Sequence, residues 1–125
     1  MEPDLGIYHY AMHQEVAYPV DYAAVRVVLA EDEEQVDKLL EVAENSRSIE
    51  RIVYFDPRGM RKYRDPRLVS WDELKAMAAR AEAREPSRFA DEVALGEAEV
   101  VAILCTTSGT TANPKLAMLQ AGPFL

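Results

Sequence analysis

The sequence predicts an α/β protein with a mostly parallel sheet. Three apolar segments rich in β-branched residues, at residues 25–30, 51–55 and 100–105, are typical of strands in such sheets. The stretches that follow residues 32 and 70 have the spacing of amphipathic helices. Strands that alternate with helices form βαβ units, in which consecutive strands run parallel. With 125 residues, the chain has at most the length of one domain.

Composition excludes several classes of protein. The chain carries 22 acidic and 14 basic residues, for a net charge of -8, so we expect no nucleic-acid partner. The lone cysteine, Cys105, excludes an intramolecular disulfide and a multi-thiolate zinc site. Residues 100–105, the longest apolar run, are too few to cross a membrane, and no signal peptide is visible. We therefore expect a cytoplasmic protein.

The first strand and helix are predicted in order along the chain. Residues 15–18 could form a helical turn or two that stops at Pro19, which lacks the N–H that a helix needs. Residues 25–30 then predict a strand covered on both faces. Asp32 caps a helix with Gln35 as its capping-box partner, and the helix frays by Asn45. Its apolar stripe consists of Val36, Leu39, Leu40 and Ala43.

The middle of the chain predicts a strand, a turn and a second helix. The turn is residues 56–59, with proline at its second position and glycine at its fourth. Residues 58–67 are polar and predict an exposed connection. Ser70 and Glu73 form a capping box, flanked by a possible hydrophobic staple. The buried stripe of the second helix is Leu74, Met77, Ala78 and Ala81, and residues 85–87 end it.

The segment over residues 106–115 carries the chemistry. It directly follows a predicted strand and contains five hydroxyl side chains, Gly109 and Lys115. Small residues let the backbone approach a ligand, and backbone amides with a lysine favour an anion such as phosphate. The segment is not a Walker A loop, because Pro114 and Leu116 replace the required residues. A solvated turn would have a similar composition.

Residues 107–115, Thr-Ser-Gly-Thr-Thr-Ala-Asn-Pro-Lys, resemble the T-S-G-[ST]-T-G-x-P-K signature of adenylate-forming enzymes. Ala112 stands where the signature usually has glycine. Residues 28–41 and 52–56 are similar to the long-chain fatty acyl-CoA synthetase branch of that superfamily. The resemblance extends from about Leu5 to the end of the chain.

The resemblance implies an AMP-forming long-chain fatty acid–CoA ligase that uses ATP with Mg²⁺, a fatty acid and CoA. Lys115 would neutralise charge on pyrophosphate as the catalytic residue, and residues 115–119 would form a strand. The phosphates of ATP would be bound by Lys115 and by Thr107, Ser108, Gly109, Thr110 and Thr111.

Complete members of this family are several-fold longer and place most of the active site, including the magnesium-binding glutamate, after this segment. We therefore expect a partial domain over residues 1–125: an internal or truncated fragment, inactive alone and able to associate through exposed edges. The alternative is a stand-alone α/β nucleotide- or phosphate-binding or regulatory module without catalysis. A third possibility is an acidic scaffold whose segment 106–115 is inert.

Three other features invite functional interpretations. His9 and His13 have a metal-binding spacing on a helix, but no third ligand is evident, so no metal site is expected. The acidic residues 31–34 fit a helix N-terminus better than a calcium site. A basic cluster could contact an acidic partner or the phosphates of CoA, although a solvated loop is the simpler interpretation. Its members are Arg58, Arg61, Lys62, Arg64 and Arg67.

Overall fold

The computed structural model describes residues 3–107 and 115–122 and divides the chain into two compact units. One unit is His9–Arg80, and the other combines Met1–Tyr8 with Ala81–Leu125. Each unit contains a three-stranded sheet with parallel pairing, and helices lie between the strands along the chain. The predicted α/β class is confirmed.

The His9–Arg80 unit is built on a fully parallel sheet. Its strands are β2 (Val27–Ala30), β3 (Arg51–Tyr54) and β4 (Leu68–Ser70), with β3 in the centre. Helix α2 (Glu33–Asn45) connects β2 to β3 and packs beside both. Together these three elements form the predicted βαβ unit.

Helix α2 begins and ends at the predicted residues, but only the Asp32 half of the predicted capping box forms, because the Gln35 side chain accepts from Lys38 Nζ at 3.2 Å instead. The Asp32 carboxylate accepts a hydrogen bond from the Gln35 amide at 3.1 Å, and Asn45 is the last helical residue. The predicted stripe is correct except at Leu40, which is only half-buried. The buried residues of α2 are Val36, Leu39, Val42 and Ala43. Because each buried Val or Leu side chain contributes about 1.5–3 kcal/mol, this face anchors the unit.

Helix α1 (His13–Tyr22) continues through Pro19, so the prediction that the helix stops there is wrong. A proline removes only its own N–H from the helix, and the Pro19 carbonyl still accepts a hydrogen bond from the Ala23 amide at 3.0 Å. Pro19 is fully buried next to Val20 in the sequence. Burial of both side chains offsets the lost hydrogen bond. The prediction that proline ends the helix considered only the missing N–H and not this burial.

Strand β2 is not covered on both faces within the described residues. Val27 and Leu29 are 55% and 59% exposed, whereas Ala30 is buried. The apolar run correctly predicted a strand. It could not show whether a second layer lies against the other face of the sheet.

The turn after β3 lies one residue later than predicted. The Met60 amide donates to the Pro57 carbonyl at 3.3 Å, and Gly59 has a φ of 77°, so the turn is Pro57–Met60 with glycine at its third position. A short 3₁₀ helix (Met60–Lys62) follows, and Met60 is buried. The segment 58–67 is therefore not simply an exposed connection, and it leads into β4, which the sequence did not predict.

Helix α3 (Trp71–Arg84) has the predicted N-terminus but not the predicted burial. Ser70 and Glu73 make both capping-box contacts, with the Ser70 amide 2.8 Å from the Glu73 carboxylate and the Glu73 amide 3.2 Å from the Ser70 hydroxyl. However, none of its residues is buried in the described chain, and Met77 is 48% exposed. Helical periodicity identifies an apolar face but not whether anything packs on it.

The second unit is organised around β5 (Val101–Thr106). It pairs in parallel with β1 (Asp4–Gly6) and antiparallel with β6 (Leu116–Gln120), which confirms a strand after Lys115. Helix α4 (Arg88–Ala94) precedes β5 and was not predicted. It buries no residue within the described chain. The β5–β6 hairpin therefore positions the two ends of the segment that resembles the signature.

Candidate functional site

The β5–β6 hairpin holds the ends of the signature segment together. Thr106 pairs with Leu116 in the strand register, and one step further the Thr107 amide donates to the Lys115 carbonyl at 2.9 Å. The Thr107 hydroxyl donates to the same oxygen at 3.2 Å. Seven residues, 108–114, thus lie between Thr107 and Lys115, which are joined by hydrogen bonds.

The side chain of Lys115 is available to a ligand. The residue is exposed, and within residues 3–107 and 115–122 no carboxylate forms an ion pair with its ammonium group. A lysine directly before a strand offers three N–H donors and a full positive charge. This arrangement favours an anionic ligand.

The structure places only part of the predicted site. Thr107 and Lys115 are adjacent across the hairpin, and both donors of Thr107 are engaged by the Lys115 carbonyl. Four predicted phosphate-binding residues lie outside the described residues: Ser108, Gly109, Thr110 and Thr111. Their roles remain predictions. Cys105 lies opposite Ala117 in the hairpin and is half-buried.

Comparison with protein families decides the classification. A family model described as AMP-binding enzyme matches residues 5–125. The chain belongs to the AMP-binding enzyme family. No curated protein matches it. The predicted superfamily is therefore confirmed, and membership indicates an adenylate-forming ligase that uses ATP.

The two histidines, His9 and His13, contact different partners. His13 Nε2 lies 3.2 Å from a carboxylate oxygen of Glu41, while the His9 ring packs edge-on against Tyr10. No group of three or more His, Cys, Asp or Glu side chains among the described residues could hold a metal ion.

A second candidate site lies in the His9–Arg80 unit. A cavity of about 760 Å³ opens between the end of β3 and the 3₁₀ helix. We call it the basic cavity. The residues that line it are Tyr54, Pro57, Arg58, Gly59, Met60, Arg61 and Lys62. The sequence indicated the cluster of basic residues but not the cavity, since the 3₁₀ helix that shapes it has no clear sequence signal.

Two of the basic side chains that line this cavity form ion pairs with carboxylates. Arg58 Nε lies 2.7 Å from Asp56 Oδ2, and this contact lowers the pKa of Asp56 and raises that of Arg58. Lys62 forms an ion pair and a hydrogen bond with Glu33 of α2, which raises the pKa of the lysine. The side chains are therefore charged and held in place at neutral pH.

The segment after the cavity is also attached to α2. The Tyr63 hydroxyl donates to Asp37, and burial, followed by this hydrogen bond, raises the pKa of Tyr63. Arg67 donates to the Ala43 carbonyl at 3.0 Å. The cavity is thus bordered by a segment with defined contacts to a helix.

None of the helices among the described residues has the length and apolar composition that a membrane span needs.

Proposed function

We propose that the chain carries the ATP-phosphate segment of an AMP-forming ligase that activates a long-chain fatty acid for transfer to CoA. The observation that carries this proposal is the pairing of Thr107 with Lys115 at the base of the signature segment. Family membership supports the adenylate-forming chemistry. The similarity of residues 28–41 and 52–56 supports the long-chain fatty acyl-CoA branch.

The proposed reaction has two steps. A carboxylate oxygen of the fatty acid bonds to the α-phosphorus of ATP, and the bond from that phosphorus to the pyrophosphate oxygen breaks. The CoA sulfur then bonds to the acyl carbon, and AMP leaves with the electron pair of the acyl–oxygen bond. Positioning and charge stabilisation supply the catalysis, because no protein nucleophile is needed.

In this proposal, the residues at the base of the hairpin have different functions. The Lys115 ammonium stabilises negative charge that develops on pyrophosphate. Thr107 aligns the two ends of the segment, since both of its donors already bind the Lys115 carbonyl. The remaining phosphate contacts would come from the four residues between them that match the signature: Ser108, Gly109, Thr110 and Thr111. Mg²⁺ would supply charge neutralisation, and no step is assigned to it.

Binding experiments on the 125-residue chain test the phosphate site. Pyrophosphate and ATP should shift the amide resonances of Thr107 and Lys115 in ¹⁵N NMR titrations, whereas AMP should not. Lys115→Ala should weaken pyrophosphate binding about tenfold, as expected for a hydrogen bond to a charged group. Lys75→Ala removes another exposed lysine and should change the affinity less than about twofold. Equal effects of the two variants would contradict the proposed site.

Substrate class requires a catalytic measurement on a ligase that includes this chain. ATP–pyrophosphate exchange should depend on added palmitate and respond little to acetate. Nucleotide binding without acid-dependent exchange would instead support a binding or regulatory module. Exchange with acetate alone would contradict the long-chain assignment while leaving the adenylate-forming chemistry intact.

A further inference from the structure

The charged residues that line the basic cavity are all cations, and two of the three are paired with carboxylates just outside the lining. Three of its lining residues are basic and none is acidic, although the net charge of the chain is -8. A concave surface lined by one sign of charge concentrates counter-ions. The three cations are Arg58, Arg61 and Lys62.

The cavity has the volume of a small-molecule site and is widely open to solvent. Its volume of about 760 Å³ falls within the range of about 300–1,000 Å³ that is usual for ligand pockets. Tyr54, Pro57 and Met60 also line it, so apolar surface accompanies the cations. Inorganic phosphate would use only the charges. A ligand that combines a phosphate with an organic ring system would use both kinds of surface.

Arg61 is the cation best placed to bind an added anion. Arg58 is paired with Asp56, and Lys62 is paired with Glu33. Within the described chain, no carboxylate forms an ion pair with Arg61, whose side chain is exposed. A guanidinium group binds phosphate through two parallel N–H donors, which gives it both strength and orientation.

We propose that the basic cavity binds a phosphorylated organic molecule of nucleotide size, with the Arg61 guanidinium as its main phosphate contact. The Pro57–Met60 turn shapes the site, because Gly59 adopts a positive φ that few other residues tolerate. The ion pairs of Arg58 and Lys62 hold the other two cations at its border. The site lies in the His9–Arg80 unit, whereas Lys115 belongs to the other unit, so this proposal does not rest on the phosphate segment.

NMR titration of the ¹⁵N-labelled 125-residue chain tests the proposal with three probes. ADP should produce saturable shifts at the amides of residues 58–62. Adenosine should produce none, because it lacks phosphate, and inorganic phosphate should bind at least about tenfold more weakly than ADP because it lacks the organic part. Raising NaCl from about 50 to about 200 mM should weaken ADP binding, as for any contact between exposed charges.

Matched variants locate the contact. Arg61→Glu should reduce ADP affinity at least about tenfold, the effect of losing a charge-assisted pair. Arg80→Glu makes the same change in net charge on the exposed surface of α3 and should alter affinity less than about twofold. Arg61→Gln and Arg80→Gln repeat the comparison without charge reversal and remain informative if a glutamate variant does not fold. Lys115→Ala should leave the shifts at residues 58–62 unchanged.

Several outcomes would overturn the proposal. One is the absence of shifts at residues 58–62 at about 10 mM ADP, a concentration that would half-saturate a site with a dissociation constant as weak as about 10 mM. Equal losses in the Arg61 and Arg80 variants would show only a general charge effect. If inorganic phosphate bound as tightly as ADP, the organic part of the ligand would contribute nothing to binding. Loss of these shifts in Lys115→Ala would assign ADP to the other unit.

Discussion

The carbonyl oxygen of Lys115 accepts two hydrogen bonds from Thr107, one from the amide at 2.9 Å and one from the hydroxyl at 3.2 Å. Both donors of Thr107 are thereby used within the hairpin, whereas the ammonium group of Lys115 is exposed. The family signature places both residues in one phosphate-binding segment. In the proposed site the two residues have separable roles, and substitution can measure each.

Thr107→Val should weaken the hairpin while sparing the ligand. Valine keeps the branched shape and the backbone amide but cannot donate from its side chain, so the local free energy of opening should fall by about 0.5–1 kcal/mol. Amide hydrogen exchange at position 107 and along β5 measures this change. Pyrophosphate affinity should stay within about twofold of the unaltered chain, because the lost donor faces a backbone carbonyl.

Thr106→Val is the matched control for this experiment. Thr106 pairs with Leu116 in the strand register, and in the described chain its hydroxyl makes no hydrogen bond. The control should leave exchange along β5 unchanged within about 0.5 kcal/mol. A tenfold loss of pyrophosphate affinity in Thr107→Val would instead assign its hydroxyl to the ligand.

Gly59→Ala should destabilise the His9–Arg80 unit. Gly59 has a φ of 77°, and an added Cβ would overlap the carboxylate of Glu33, which pairs with Lys62. The backbone cost and the displaced ion pair together predict a loss of about 1–2 kcal/mol in the free energy of unfolding. Urea unfolding followed by fluorescence of Trp71, the only tryptophan, measures it, since its ring packs 4.6 Å from Phe55.

Gly6→Ala provides the comparison for this substitution. Nothing lies within 4 Å of the position where its Cβ would be, and Gly6 is a strand residue of β1. Unfolding monitored at Trp71 should therefore change by less than about 0.5 kcal/mol. Combining Gly59→Ala with Glu33→Ala should recover part of the loss if steric overlap contributes. Equal stability of Gly59→Ala and the unaltered chain would contradict the strain argument.

Local signals in the sequence predicted the elements that local interactions determine. Asp32 and Ser70 mark helix starts because a capping hydrogen bond spans only three residues. The stripe of α2 was predictable because the unit supplies the sheet that covers it. Strand β4 escaped prediction because three residues are too few for a periodic pattern.

The candidate site shows the same division. The composition of residues 106–115 and the family signature pointed to phosphate binding, and the strand after Lys115 followed from the resemblance. The hydrogen bonds that occupy Thr107 depend on the strand register, which composition does not encode. The basic cavity depends on a 3₁₀ helix and on contacts with α2, so the sequence indicated its charges but not its shape.

Stability of the His9–Arg80 unit should fall at acidic pH through Asp65. Hydrogen bonds from the Arg67 side chain lower the pKa of Asp65, and the two groups lie 2.7 Å apart. A lowered folded-state pKa stabilises the fold above the unfolded value of about 3.9, and this stabilisation is lost as pH falls through the folded-state value. Urea unfolding monitored at Trp71 should therefore show decreasing stability below about pH 4.

Asp65→Asn measures how much of the acid-induced loss of stability comes from Asp65 and how much from other carboxylates. Asparagine can still accept the hydrogen bond that the Arg67 amide donates at 2.8 Å, but it does not titrate. The acid-induced loss should therefore be smaller in this variant. A double-mutant cycle with Arg67→Gln should give a coupling of about 0.5–1 kcal/mol at pH 7 that disappears at low pH. Identical pH profiles for Asp65→Asn and the unaltered chain would exclude this pair as a source of acid sensitivity.

Helix α3 should depend on its cap more than a helix with a buried face does. The Ser70 amide and hydroxyl both donate to the Glu73 carboxylate and lower its pKa, and the Glu73 amide donates to the Ser70 hydroxyl. No residue of α3 is buried in the described chain. Ser70→Ala should therefore cost about 1 kcal/mol locally and reduce the helical ¹³Cα shifts of the first turn. Ser87→Ala at α4 is the matched control, since the Ser87 side chain makes no cap hydrogen bond there. It should leave the shifts of α4 nearly unchanged, and equal losses in both helices would mean that the cap geometry does not govern α3.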